Sequence, residues 1–302
     1  MATLTSTAFR SIPSQGEPTE PAPATAVSRT TSTAGTIAGN LLLLAGVLVL
    51  AFAGYLTGGS RLQQAHSQHL LYDQLRVTLR QATTPVAEPI AAGTPVALLE
   101  SPRLGDSQVV VEGTSSRLLM RGPGHRPDTP LPGQQGVSVL FGRSSAFGGP
   151  FGELHLLKIG DRVSVTTGQG RFTYVIDSVR RSDQPFQPLP SAVSRLSLVT
   201  ADGSWTPGQV WVASGVLVAG AAQPAPAAVV PAPVEDQQLQ GDSGAAVALL
   251  LWSQLLLLVV VLAVWGWLRL PRVTVWVGAA PVLLAVLWNV FTNLSALLPN
   301  LL

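Results

Sequence analysis

Any covalent chemistry in this chain has to proceed without sulfur nucleophiles. Its 302 residues contain no cysteine, which removes thiolate attack, thiolate metal sites and disulfides together. Imidazole is scarce too, with four histidines. Two of them, His66 and His69, lie with Asp73 at a spacing that puts all three near one face of a helix, where a metal ion would meet two imidazoles and a carboxylate. Three candidates on one exposed helix, with no ligand from elsewhere, specify a metal poorly. The expectation is a solvated or partner-facing polar stripe, with no metal and no cofactor. Of the 18 basic residues only Lys158 is a lysine, the rest are arginine, and they form no cluster. A nucleic-acid partner is therefore not expected.

The elements that must position these groups are set by an uneven distribution of charge. Only 11% of the residues are charged against 47% hydrophobic, where soluble domains carry roughly 25% charged residues. Thr30 to Ser60, Ser243 to Leu268 and Val273 to Leu302 hold no Asp, Glu, Lys or Arg at all. Each block is long enough for a helix to cross a hydrocarbon core of roughly 30 Å. This predicts a cytoplasmic tail at 1–35 too polar to fold, a first transmembrane helix at 36–58, and further spans at 244–268 and 273–297. Ala51-Phe52-Ala53 is similar to a signal-peptidase site, but the long weakly charged stretch before the apolar core argues for a retained anchor. Arg269 and Arg272 in the short turn between the last two spans favour the cytoplasmic side, which leaves the polar region outside the plasma membrane.

Between the spans, Leu71, Leu75, Leu79 and Ala82 recur at helical spacing and predict a membrane-proximal helix over 61–84. From Val96 onward the pattern becomes short β-rich runs separated by Gly and Pro: Val96 to Leu99, Val109 to Glu112, Val137 to Phe141, Arg162 to Thr166, Phe172 to Val179, Leu196 to Thr200 and Val210 to Val218. Seven or so short strands with these turn signals predict a compact β-barrel or sandwich, followed by an Ala/Pro-rich linker at 221–243. Gln254, Asn289 and Asn293 fall inside the last two spans. The expectation for these amides is helix packing, with Gln254 and Asn289 hydrogen-bonded across the interface.

The β region resembles the sortase fold, of the class E type found in actinobacteria, over about 92–220. The resemblance is carried by Val109-Val110-Val111-Glu112-Gly113-Thr114, Arg121-Gly122-Pro123-Gly124-His125 and Thr129-Pro130-Leu131-Pro132-Gly133-Gln134-Gln135-Gly136. It continues in Gly142 leading to Phe147-Gly148-Gly149-Pro150-Phe151, and in Leu157-Lys158-Ile159-Gly160-Asp161. It implies a mainly β protein, a sortase-like closed β-barrel with short helices plus three transmembrane α-helices. In such enzymes a groove binds a sorting peptide and transfers it through a cysteine thioester. The position of the family's catalytic histidine, after Gly142, holds Arg143. That of its cysteine, after Leu198-Val199-Thr200, holds Ala201, and that of its oxyanion-stabilising arginine holds Val210.

Alanine has no lone pair with which to attack, and arginine keeps its proton across the accessible pH range. Thr200 and Ser204 are the remaining hydroxyl candidates, with Asp202 able to orient a base. The nearest imidazoles, His125 and His155, read as hydrogen-bonded loop histidines. The chain is therefore expected to be a sortase-like pseudoenzyme, a non-catalytic scaffold at the cell envelope. Its groove of Arg143, Thr200, Ala201 and Val210 would hold a secreted or cell-surface protein or peptide, with Arg143 gripping an acidic group against an apolar floor. Two alternatives remain at this point. One is an accessory subunit of an export or envelope assembly, recruited to another membrane protein through the C-terminal hairpin. The other is an acyl hydrolase or transpeptidase with a non-cysteine nucleophile.

Overall fold

The computed structural model describes residues 33–87, 89–183, 194–202, 209–224 and 244–298. Most of the expected tail, most of the Ala/Pro-rich linker, and Ser204 lie outside the described residues.

Among the described residues, three helices are long and apolar enough to cross a membrane. The first, α1 (Thr33–Gly54), runs through one π-helical turn at Tyr55–Gly59 into α2 (Ser60–Arg80). A side chain cannot easily be accommodated at Gly59, where a Cβ would stand 3.1 Å from the rings of Tyr55 and Trp288. The wide turn thus lies where the helix meets the Trp288 ring. Helix α2 ends at Arg80, short of the expected 84. Ala82 takes a left-handed φ of 53°, and the Thr83 amide donates to the Thr78 carbonyl at 2.9 Å, so a backbone motif closes the helix before Pro85 is reached. The other two apolar helices, α4 (Ala245–Arg269) and α5 (Arg272–Ala296), form an antiparallel hairpin. Trp267 and Trp276 meet edge-on across its turn, with ring centroids 6.1 Å apart.

The expected amide bond across that hairpin is not formed. Asn289 Nδ2 donates to the Ala285 carbonyl at 2.9 Å and Asn293 Nδ2 to the Asn289 carbonyl at 2.8 Å, both on their own helix. An exposed Gln254 lies on the other helix. One turn of helix back is a nearer acceptor than a side chain on a neighbour, so the local bond prevails.

Eight strands close into a barrel in the order β1-β2-β3-β4-β7-β8-β6-β5. They are β1 (Pro95–Glu100), β2 (Gln108–Glu112), β3 (Gly124–His125), β4 (Gly136–Phe141), β5 (Arg162–Thr167), β6 (Gly170–Arg181), β7 (Ser194–Ala201) and β8 (Val210–Ala219). A short helix, α3 (Ser116–Leu119), follows β2. Alternation sends Val96, Val110, Leu140, Val163, Tyr174, Leu196, Leu198 and Ala213 into one core. Strand β3, only two residues long, has no period to betray it in the sequence. It nevertheless joins β2 in parallel and β4 antiparallel, and so closes the wall.

Helix α2 lies against β2. Leu71 and Leu75 pack on Val109 and Val111. Gln68 behaves as an extra piece of strand: its Oε1 accepts from the Val109 amide at 2.7 Å, and its Nε2 donates to the carbonyls of Val109 and Arg121 at 3.1 and 2.8 Å. Gly122 makes room for this, since a Cβ there would fall 2.0 Å from the Gln68 amide nitrogen.

Candidate functional site

The barrel brings together the positions that the sequence singles out. Strands β4 and β7 run parallel, with Phe141 opposite Val199, and β7 pairs with β8 so that Ala201 faces Val210. Gly142 therefore sits beside Thr200, its amide donating to the Val199 carbonyl at 3.0 Å. The Thr200 hydroxyl donates to the Gly142 carbonyl at 2.8 Å and is buried. Arg143, Thr200, Ala201 and Val210 thus belong to one end of the β4-β7-β8 wall. Outer-face side chains form its apolar strip: Val139, Ala201, Val210 and Val212 are partly buried around Phe141, Val199 and Leu119 of α3.

Arg143 departs from the expected open-groove cation. It is 0% exposed, and its Nη2 donates to Ser116 Oγ at 2.9 Å and to the Ser116 carbonyl at 3.3 Å. Its guanidinium lies 5.0 Å from the centre of the Phe147 ring. Ser116 opens α3, so the arginine passes beneath that helix instead of out over the strip. Burial lowers its pKa to about 10, which leaves it protonated at neutral pH. The accepting hydroxyl and carbonyl and the aromatic face together accommodate the buried charge.

The loop that follows is fastened to the helices. Phe147 is fully buried with a left-handed φ of 51°, and its amide donates to Ser60 Oγ at 3.0 Å. Its ring meets Tyr55 edge-on at a centroid distance of 6.3 Å, inside a cluster with Met120, Ala146, Phe291 and Ala296. Tyr55 in turn shares a 3.0 Å hydrogen bond with Thr292 of α5. Sequence reading treats Phe147 as part of a turn motif. A lone aromatic among Gly and Ser carries no sign of what it packs on.

The two loop histidines differ. His155 is exposed, with Nδ1 3.1 Å from the Gly152 carbonyl and its ring 6.0 Å from that of Trp211. Trp211 donates to Asp202 at 2.6 Å, so the carboxylate set aside as a possible base-orienter is engaged by an indole, and by Arg181 at 3.4 Å. His125 is not in a loop but in β3, fully buried between Glu112 and Pro130. His66, His69 and Asp73 are all exposed on α2.

Residues 99–209 match the family model of the sortase domain. No curated protein matches the chain. Among solved structures, the chain is similar to a Clostridium perfringens sortase D5 transpeptidase at 20% identity and a TM-score of 0.43, covering 51% of this chain and 99% of that one. It is similar to sortase E from Streptomyces avermitilis at 28% identity and a TM-score of 0.36, covering 43% and 91%. Sortase E1 from Streptomyces coelicolor, solved with a tripeptide in the active site, stands at 25% identity and a TM-score of 0.37, covering 42% and 90%. The likeness to the sortase domain thus runs from within β1 to the residue before β8, the stretch that holds Arg143, Thr200 and Ala201 and stops one position short of Val210.

Proposed function

We propose that this protein is a membrane-anchored, sortase-like binding module of the class E type that holds a secreted or cell-surface polypeptide without making or breaking a bond. The observation that carries this reading is the make-up of the wall where β4, β7 and β8 end. It offers a partly exposed aliphatic strip, Val139, Ala201, Val210 and Val212, in a chain with no cysteine. Acyl transfer needs a nucleophile in contact with a base and a donor aimed at the developing oxyanion. The Thr200 hydroxyl, beside Ala201, spends its proton on the Gly142 carbonyl. Arg143 and Thr200 enter as buried supports of the groove's end, with Ala201 and Val210 as its floor. An extended peptide laid on such a strip would be held by contact of its apolar side chains with the strip.

A photo-crosslinking residue at position 201 in the full chain should capture an exported polypeptide in cells. Val210→Glu, which puts a charge on the floor, should abolish the capture. Capture unchanged by Val210→Glu would place the contact elsewhere and remove the groove from the account.

The same reading sets the barrel outside the membrane and the α4–α5 turn inside, since Arg269 and Arg272 flank that turn. With no native cysteine to interfere, Ser182→Cys should react with an impermeant thiol reagent on intact cells, whereas Arg269→Cys should react only after permeabilisation. Equal labelling at both positions would overturn the orientation.

A further inference from the structure

Barrel and helix flank a second, open cavity, of about 740 Å³, that the groove does not use. It is bounded by the start of α2, the β1–β2 loop and the glycine-rich loop after β4. Arg61, Asp106 and Glu153 line it, and among the described residues none of the three side chains has an ion pair or hydrogen bond within the chain. The wall also contains Ser144, whose hydroxyl is buried and has no hydrogen-bond partner. Two features keep the space open and in shape. Gln64 Nε2 donates to Gln108 Oε1 at 2.8 Å, and Gly148 leaves clear a point where a Cβ would stand 2.9 Å from the Gln64 oxygen.

The depth of this cavity is set by its rim residue Thr57. Thr57 directly follows the charge-free apolar run that ends at Leu56, so the rim lies where a hydrocarbon core gives way to headgroups. A protein that needed only to close the joint would pair these charges with one another. Instead both signs stand unpaired around one space at headgroup depth, which calls for a ligand that carries both.

We propose that the cavity binds a phospholipid headgroup bearing a phosphate and a primary ammonium. The Arg61 guanidinium presents paired N–H donors to the phosphate, and Ser144 has a free hydroxyl to add. Asp106 and Glu153 accept from the ammonium. Two carboxylates against one guanidinium favour a cation that donates hydrogen bonds. A quaternary ammonium has no N–H to give and is bound by aromatic faces, and none of the lining residues is aromatic.

The test uses the full chain, purified in detergent and offered phosphatidylethanolamine or phosphatidylcholine with the same acyl chains, with retained lipid counted by native mass spectrometry. Phosphatidylethanolamine should be retained about tenfold better, the worth of one hydrogen bond to a charged group. The double variant Asp106→Asn, Glu153→Gln should lose that preference while keeping its retention of phosphatidylcholine, and Arg61→Gln should weaken both lipids. Displacement by soluble glycerophosphoethanolamine would assign the site to a free solute of the same chemistry, and resistance to it would assign the site to the lipid. Equal retention of the two lipids by the unaltered chain, or a preference that survives the double variant, would overturn the proposal.

Discussion

Glu112→Ala should lower the stability of the barrel by about 3 kcal/mol, the upper end of the usual cost of leaving a buried hydrogen-bonding group without its partner. The argument starts from what surrounds His125. Its Nε2 lies 3.1 Å from the Pro130 carbonyl and 3.2 Å from Thr129 Oγ1. Thr129 already donates its proton to the Arg126 carbonyl at 2.8 Å, so Nε2 faces acceptors only and must carry hydrogen. Nδ1 lies 2.9 Å from Glu112 Oε2, and a contact that short needs a proton between the two atoms. Imidazole and carboxylate therefore share one proton in a place where both are at most 2% exposed.

The pair also bridges β2 and β3, whose parallel contact is only two residues long, so its loss would open the barrel at its shortest strand. In the full chain in detergent, Glu112→Ala should depress the melting temperature by on the order of 10 °C. The double variant Glu112→Leu, His125→Leu should be less damaging than the sum of its single substitutions, because two apolar groups leave no polar atom unpaired. A fall of less than about 1 kcal/mol for Glu112→Ala, against the cost expected of an unpartnered buried group, would mean that the pair does not hold the closure.

Phe147→Ala should cost as much or more, about 3–5 kcal/mol, from the cavity left behind when a buried aromatic side chain is removed. The ring fills the space between Tyr55 and the Arg143 guanidinium, so its loss also strips a buried cation of its aromatic face. A backbone signature separates this account from plain loss of apolar volume. Glycine is ordinarily worse than alanine by roughly 0.5–1 kcal/mol within regular structure, but at φ 51° the order should reverse, because the left-handed region penalises a Cβ. Melting curves of the two variants decide it. Phe147→Gly should be at least as stable as Phe147→Ala, and the opposite order would show that the loop is not held in this conformation.

The strands were readable because alternation survives in sequence: the run Arg162 to Thr166 predicts a strand that the structure extends by one residue, to Thr167. The three apolar helices were readable for the same reason, since the absence of charge over a span's length has few other meanings. What escaped depends on contacts between distant residues. Glu112 and His125 are 13 residues apart, and only the parallel pairing of β2 with β3 makes them partners. Phe147 and Tyr55 are brought together by the packing of α1 and α5 around one loop, which no local pattern encodes. Arg143 follows β4 by two positions, but it turns inward to Ser116 where an open-groove cation is expected. A charged loop residue is ordinarily solvated, and nothing local announces that Ser116 and Phe147 will take it inward. The amides of α5 differ from expectation for a related reason, because an amide that can reach the carbonyl one turn back on its own helix satisfies its donor there.

These features meet in one picture. The end of β4 is drawn beneath α3 by Arg143 and against Tyr55 by Phe147, which leaves Ala201 and Val210 as the open part of the wall. That picture supports binding without turnover, and the most direct measurement is the mass of the polypeptide captured by a photo-crosslinking residue at position 201. If the groove only holds its partner, the captured polypeptide has the full mass of the exported form, and Thr200→Val does not alter it. A captured polypeptide cut at a defined bond, with the cut lost in Thr200→Val, would contradict the account and identify a hydroxyl-dependent enzyme.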